Sequence, residues 1–411
     1  MSCEGVPVER IARAVGPPVY IYSHKTLVDH FRKLRTAFRR LDPLICFSVK
    51  ANGNLAILKT LVRQGAGLDI VSGGELFKAL RVGCPPSRIV YASVGKSPEE
   101  IRDALRAGIF CFNVESVPEL EAINAQARRA GRLAPVALRI NPDVKVRTHR
   151  YITTGTAETK FGIDLGTVER LLLTRRQAFG AIRFLGFHLH IGSQITDARP
   201  FVRAITRVSS LITRLRRRGV PVSLLNLGGG LGIVYKDEQP QTAKEFAGAV
   251  LPLLTPLGVR VVLEPGRFIV GNAGILVTRL LYRKETHGKR FLVVDAGMND
   301  LIRPALYGAY HGVIPTVQSS SRNHTQHFDV VGPVCESADV LAHHRRLPHL
   351  PPGAHLAILG AGAYGFTMAS NYNGRPRPAE VLVKGARYFL IRRRERLEDL
   401  VRLEVMPRGL G

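Results

Sequence analysis

The stretch LICFSVKANGN, residues 44–54, opens on a short run rich in β-branched and aromatic residues and closes on an amine, Lys50. The following NLAILKTLVRQG (54–65) has apolar residues at helical spacing, so the pair reads as a buried strand feeding a helix. Lys50 then stands at the carboxyl end of a strand, where α/β folds hold their chemistry.

Working outward, the same unit repeats. After LICFSV come GLDIVS (67–72), IVYASV (89–94), FCFNVE (110–115), VALRIN (136–141), GFHLHI (186–191), LLNLGG (224–229) and VVLEPG (261–266). Amphipathic stretches such as SPEEIRDALRAG (97–108) and SVPELEAINAQARRAG (116–131) separate them, with Ser and Pro at their starts and Gly at their ends. Eight such alternations predict an α/β fold of the (β/α)8 TIM-like barrel type, with a doubly wound sheet as the alternative. In a barrel every strand delivers its end to one mouth. Those ends carry Lys50, Asp69 with Ser72, Ser93, Asn113 with Glu115, Arg139 with Asn141, His188 with His190, Gly228 to Gly230, and Glu264 with Arg267. An amine, an imidazole, a glycine cluster, a carboxylate and a guanidinium on one rim suit a phosphorylated, electron-accepting cofactor, and no metal is needed to explain them.

Beyond about residue 270 the pattern changes to GILVTRLLYRKE, RFLVVDAG, HFDVVGPV and HLAILGAGAYG, with no regular helix between them. These predict a mainly β C-terminal domain. The early PPVYIYS is an apolar strand with no barrel slot and is expected to pair with that later domain.

Composition narrows the class. A chain of 411 residues, 45% hydrophobic, can bury a large core. No window approaches the roughly 18 uncharged apolar residues of a membrane span, and MSCEGVPVER lacks a signal-peptide core, so a cytoplasmic enzyme is expected. Five widely spaced cysteines without a CxxC pair suggest neither a disulfide framework nor zinc. Cys46, Cys84 and Cys111 read as core filler, and Cys335, in the polar GPVCES, as the chemical candidate. The net charge of +27 comes from 46 Arg against 13 Lys. No nucleic-acid motif accompanies it, so arginines such as those of ITRLRRRG read as solvated helix faces that attract anions, and nucleic acid is not an expected partner.

The ordered set FSVKAN, GLDIVSGGEL, RINPDV, TTGTAETKFGI, GFHLHIGSQ, NLGGGLGI, LEPGR, DAGMNDLIRPALYGAYH, GPVCES and GAYGFTMASNYNGRPRPAEVLV resembles the diaminopimelate decarboxylases over nearly the whole chain. These are pyridoxal 5'-phosphate enzymes of the alanine racemase and ornithine decarboxylase fold. The resemblance implies a cofactor-binding barrel over residues 25–270 and a β-rich domain built from residues 1–24 and 271–411. It implies that Lys50 carries the cofactor, that Glu264 faces the pyridine nitrogen and that His190 stacks on the ring. Gly228, Gly229 and Gly230 match the phosphate loop, with further contacts from Asp69, Ser193, Pro265, Gly266, Arg267 and Tyr364.

For the substrate it implies Arg303 and Tyr307 on a distal carboxylate, Glu336 on a distal ammonium, and further contacts from Arg267 and Tyr364. Cys335 matches the proton donor, entering with Glu336 from the partner subunit of a homodimer. The implied reaction takes meso-2,6-diaminopimelate, at its D centre, to L-lysine and carbon dioxide. Decarboxylation of ornithine, arginine or a carrier-tethered glutamyl group is the alternative. Burial at the mouth is expected to keep Lys50 nucleophilic, and His188 reads as a satisfied core histidine. Two departures from the family's usual pattern are Ala338 in CESAD and Arg150 in THRYI, beside a lid-like loop where it bears on how acidic substrates enter.

Overall fold

A computed structural model describes residues 1–144, 160–317 and 325–409, so Arg150 and most of the expected lid loop lie outside the described residues. The chain divides into two units, Leu27–Ile269 and Met1–Thr26 with Val270–Gly411.

In the first unit all eight expected strands form: β1 Leu44–Ser48, β2 Gly67–Ile70, β3 Ile89–Tyr91, β4 Cys111–Val114, β5 Ala134–Asn141, β6 Ile182–His188, β7 Leu224–Asn226 and β8 Arg260–Leu263. Each pairs in parallel with the next, and β8 pairs with β1 through Val262 and Leu263 against Leu44 and Ile45, which closes the barrel. Buried on both faces, parallel strands read as near-continuous apolar runs, and this is why the periodicity found them. Leu44, Cys46, Val90, Cys111, Ala137, Leu224 and Val262 pack into one buried cluster drawn from six of the strands. Cys46 and Cys111 are thus filler as expected, and burial pushes both thiols well up from their ordinary range.

Helix starts carry the chemistry read from the sequence. Ser97 accepts from the Glu100 N–H and Glu100 returns a bond to the Ser97 N–H, a reciprocal cap on Pro98–Ala107. Asn54 caps Leu55–Arg63, and Ser116 caps Val117–Arg129. One boundary differs from expectation. β1 ends at Ser48, and Lys50 lies in a single 3-10 turn, Val49–Ala51. The chain must swing from strand to helix within six residues, and the Asn52 side chain accepting the Asn54 N–H at 3.1 Å tightens that swing.

In the second unit, Val19–Ser23 pairs antiparallel with Gly274–Thr286 and parallel with Ala379–Lys384. The early apolar strand is therefore buried between two later ones. Gly274–Thr286 also pairs with Lys289–Val294 and His355–Ile358, and Thr325–Val331 joins Lys289–Val294 to Val340–Pro348. This unit is mainly β. Val6, Val8, Ile11, Val19, Ile21, Val277, Val381 and Val383 form a buried core between that sheet and the helix Val8–Val15.

Candidate active site

At the carboxyl ends of β1 and β2 three side chains meet. Ser48 donates its hydroxyl to Asp69 Oδ2 at 2.6 Å, and Lys50 Nζ reaches the same oxygen at 3.3 Å. The Lys50 side chain is 35% exposed and Asp69 fully buried. The amine is held by a buried carboxylate. Burial pushes the Asp69 carboxyl up to about 6, against the pull of Lys50. Asp69 Oδ1 is buried without a partner among the described residues.

Glu264 follows the end of β8, and three strands supply its partners. Asn113 of β4 and Asn226 of β7 donate amide N–H groups to Oε1 at 2.8 and 2.6 Å, and His188 of β6 donates Nε2–H to Oε2 at 3.0 Å. Burial alone would raise this carboxyl. The His188 contact, the charge of Lys50 and the Asn226 amide outweigh it and hold the group at about 2. Glu264 is thus a fully buried, permanently charged carboxylate. His188 is buried, as expected, but only its Nε2 is engaged: Nδ1 has no partner among the described residues, and the bond to Glu264 gives the ring a function the sequence alone did not suggest.

His190, two residues beyond His188, is different. Burial first, then the nearby Arg139 and Lys50 charges, push its pKa well below the usual histidine value, so the ring is neutral. The Gly229 N–H donates to His190 Nδ1 at 3.3 Å, which leaves the proton on Nε2. Arg139 is paired with buried Glu115 at 2.6 Å and donates a second N–H to the His190 carbonyl at 3.2 Å, fixing the backbone that carries the imidazole.

Gly228, Gly229 and Gly230 follow β7 in a fold that excludes side chains. A Cβ on Gly228 would stand 2.1 Å from the Leu189 oxygen, on Gly229 2.3 Å from the Glu264 oxygen, and on Gly230 2.5 Å from the Gly192 oxygen. Gly228 adopts φ +67°, and its N–H donates to Asn226 Oδ1 at 2.9 Å. Beside this loop Arg267 donates to Tyr235 Oη at 2.6 Å and to Ser193 Oγ at 3.1 Å. Tyr235 was missed by sequence reading. The Gly266 backbone packs on β1's end, where a Cβ would meet Ala51 Cβ at 3.0 Å, and the Pro265 carbonyl accepts the Ser48 N–H at 3.1 Å.

Among the described residues, one cluster could offer three ligand atoms to a metal: His188, His190 and Glu264, within 4.8 Å of one another. Both Glu264 oxygens and His190 Nδ1 are already engaged in the bonds above. A bare cradle, a neutral imidazole, a permanently charged carboxylate and an amine at its edge fit pyridoxal phosphate.

The remaining candidates lie in the second unit. Arg303 opens the short helix Arg303–Tyr307, is buried, and donates Nη1–H to His311 Nε2 at 2.9 Å. His311 Nδ1–H donates in turn to the Leu359 carbonyl at 2.8 Å, which fixes its tautomer. Tyr307 is half-buried on the same helix. Tyr364 takes the left-handed φ +56° in its GAYGF turn. Cys335, Glu336 and Ala338 are exposed. The Cys335 N–H is bonded to Asn373 Oδ1 at 2.8 Å, and Glu336 Oε1 accepts the Tyr372 hydroxyl at 2.5 Å.

Residues 24–271 match the family model described as pyridoxal-dependent decarboxylase, pyridoxal binding domain. The chain is 45% identical to a diaminopimelate decarboxylase of Aquifex aeolicus over 97% of its own length and 94% of that protein's. It is 46% identical to that of Neisseria meningitidis serogroup B, over 97% and 95%. Among solved structures, a Helicobacter pylori diaminopimelate decarboxylase complexed with L-lysine superposes with a TM-score of 0.92 at 40% identity, covering 96% of this chain and 98% of that one.

Proposed function

We infer the activity from the premise that this chain belongs to the diaminopimelate decarboxylases: it is a pyridoxal-phosphate-dependent carboxy-lyase that converts meso-2,6-diaminopimelate to L-lysine and carbon dioxide. When bound, the cofactor supplies an electron sink for the pair left at the α-carbon as carbon dioxide departs.

The chain's own residues have these parts in our reading. Lys50 carries the cofactor covalently, and Asp69, which reaches its amine, keeps it at the mouth. Glu264, held ionised, would face the pyridine nitrogen and favour its protonated form. The neutral His190 offers a flat face without adding positive charge beside the ring. Gly228, Gly229 and Gly230 present backbone N–H groups to the phosphate, with Ser193, Gly266, Arg267 and Tyr364 completing its contacts.

Arg303, its guanidinium oriented by His311, and Tyr307 take the distal carboxylate of the substrate. Glu336 takes the distal ammonium, and Arg267 and Tyr364 also touch the substrate. Cys335 delivers the proton. We further propose a homodimer with shared active sites, supported by the exposure of Cys335 and Glu336 in the single chain. A reducing, cytoplasmic setting fits five free cysteines.

The observation that carries the reading is the buried Glu264, held charged by donors from three barrel strands. The test is turnover of meso-diaminopimelate, L-ornithine and L-arginine by protein loaded with pyridoxal phosphate. Release of carbon dioxide with L-lysine from the first alone is expected; turnover of a rival without lysine formation overturns the substrate assignment.

A further inference from the structure

Three successive residues, 334 to 336, are each held from a different place within the second unit. The Val334 N–H donates to Asp339 Oδ2 at 2.7 Å, and the buried Asp339 also takes the Met298 N–H at 2.6 Å. The Cys335 N–H donates to Asn373 Oδ1 at 2.8 Å. Glu336 Oε1 accepts from the Tyr372 hydroxyl at 2.5 Å. Asp339 is an ordinary brace for a turn. Tyr372 and Asn373 are not, because they come from the SNYNG segment almost 40 residues further along the chain and their bonds are exposed.

Exposed bonds of this kind contribute little to folding. Tyr372 is 44% exposed, and Cys335 and Glu336 are exposed as well. What the two bonds do is aim the loop. Asn373 adopts φ +55°, a left-handed conformation that asparagine tolerates better than most residues, and this turns its carbonyl oxygen onto the Cys335 N–H. Tyr372 occupies one carboxylate oxygen of Glu336 and leaves Oε2 for a cation.

We propose that Tyr372 and Asn373 are positioning residues that set the substrate-recognising and proton-delivering loop: Asn373 fixes the backbone that carries the Cys335 thiol, and Tyr372 fixes the carboxylate that meets the distal ammonium. The proposal rests on the roles inferred for Cys335 and Glu336. It divides the loop into two adjustments, one felt in the proton step and one in substrate affinity.

Four proteins test it: wild type, Asn373→Gly, Asn373→Asp and Tyr372→Phe. Glycine keeps the left-handed backbone and removes the carbonyl; aspartate keeps both an acceptor and tolerance of that conformation. Hydrogen exchange over residues 334–338 reads the loop without any turnover. Exchange there should quicken in Asn373→Gly and stay at the wild-type rate in Asn373→Asp. In lysine formation, Asn373→Gly should lose about tenfold in kcat, as misplaced reacting groups do, with little change in KM. Tyr372→Phe should raise KM for meso-diaminopimelate about fivefold, the worth of one modest hydrogen bond to a charge, with kcat near wild type.

Unchanged exchange in Asn373→Gly, failure of Asn373→Asp to restore it, or an unaltered KM in Tyr372→Phe would overturn the proposal. A wild type that forms no lysine counts against the activity itself, and in that case the exchange result still decides whether Asn373 holds the loop.

Discussion

At the scale of single residues, Glu264 governs the barrel mouth. Its carboxyl is held at about 2 against an ordinary value of 4.5, so the unfolded chain binds this proton at pH values where the folded chain does not. The stability it contributes is fully present above about pH 4.5 and is lost as pH falls toward 2, on the order of 3 kcal/mol in all. Glu264→Gln should therefore be less stable than wild type at pH 7 in urea unfolding, and the gap should narrow between pH 5 and 3. A gap that stays constant would show that the carboxylate is not the charged group described. The same substitution should cost at least about 100-fold in kcat, because a neutral amide no longer favours a protonated ring.

At the scale of elements, the loop after β7 admits only glycine at its first position. Gly228→Ala must place a methyl against the Leu189 oxygen at a backbone angle that alanine avoids, so affinity for pyridoxal phosphate should fall at least about tenfold while the far-ultraviolet dichroism of the barrel is kept. Affinity equal to wild type would remove this loop from the cofactor site.

The strands themselves were readable in advance, because a buried parallel strand announces itself as a short apolar run and a capped helix as Ser or Asn before its first turn. The partners of Glu264 were not. Asn113 and Glu264 stand 151 positions apart, and only closure of the barrel brings them within 2.8 Å. His188 could be read as a core histidine but not as the donor to Glu264, since local pattern fixes a residue's face and leaves its neighbour on another strand open. Lys50 was expected to close its strand, whereas it lies in the 3-10 turn Val49–Ala51, two residues past the strand's end. Tyr235 and His311 orient Arg267 and Arg303 through contacts that local pattern leaves open, although His311 closes one of the quoted motifs.

At the scale of the whole molecule, the net charge of +27 calls for a test separate from the active site. If the arginines are solvated helix faces, retention of the protein on double-stranded DNA should be gone by about 0.2 M salt, since counterion release is the whole of such binding. Retention beyond that would mark a dedicated nucleic-acid surface.

The account's central claim is that the barrel mouth is organised around Lys50 as the residue that carries pyridoxal phosphate. The most direct measurement is borohydride reduction of the cofactor-loaded protein followed by peptide mass spectrometry. The account predicts a single phosphopyridoxyl adduct, on the peptide containing Lys50. An adduct confined to any other lysine would contradict it.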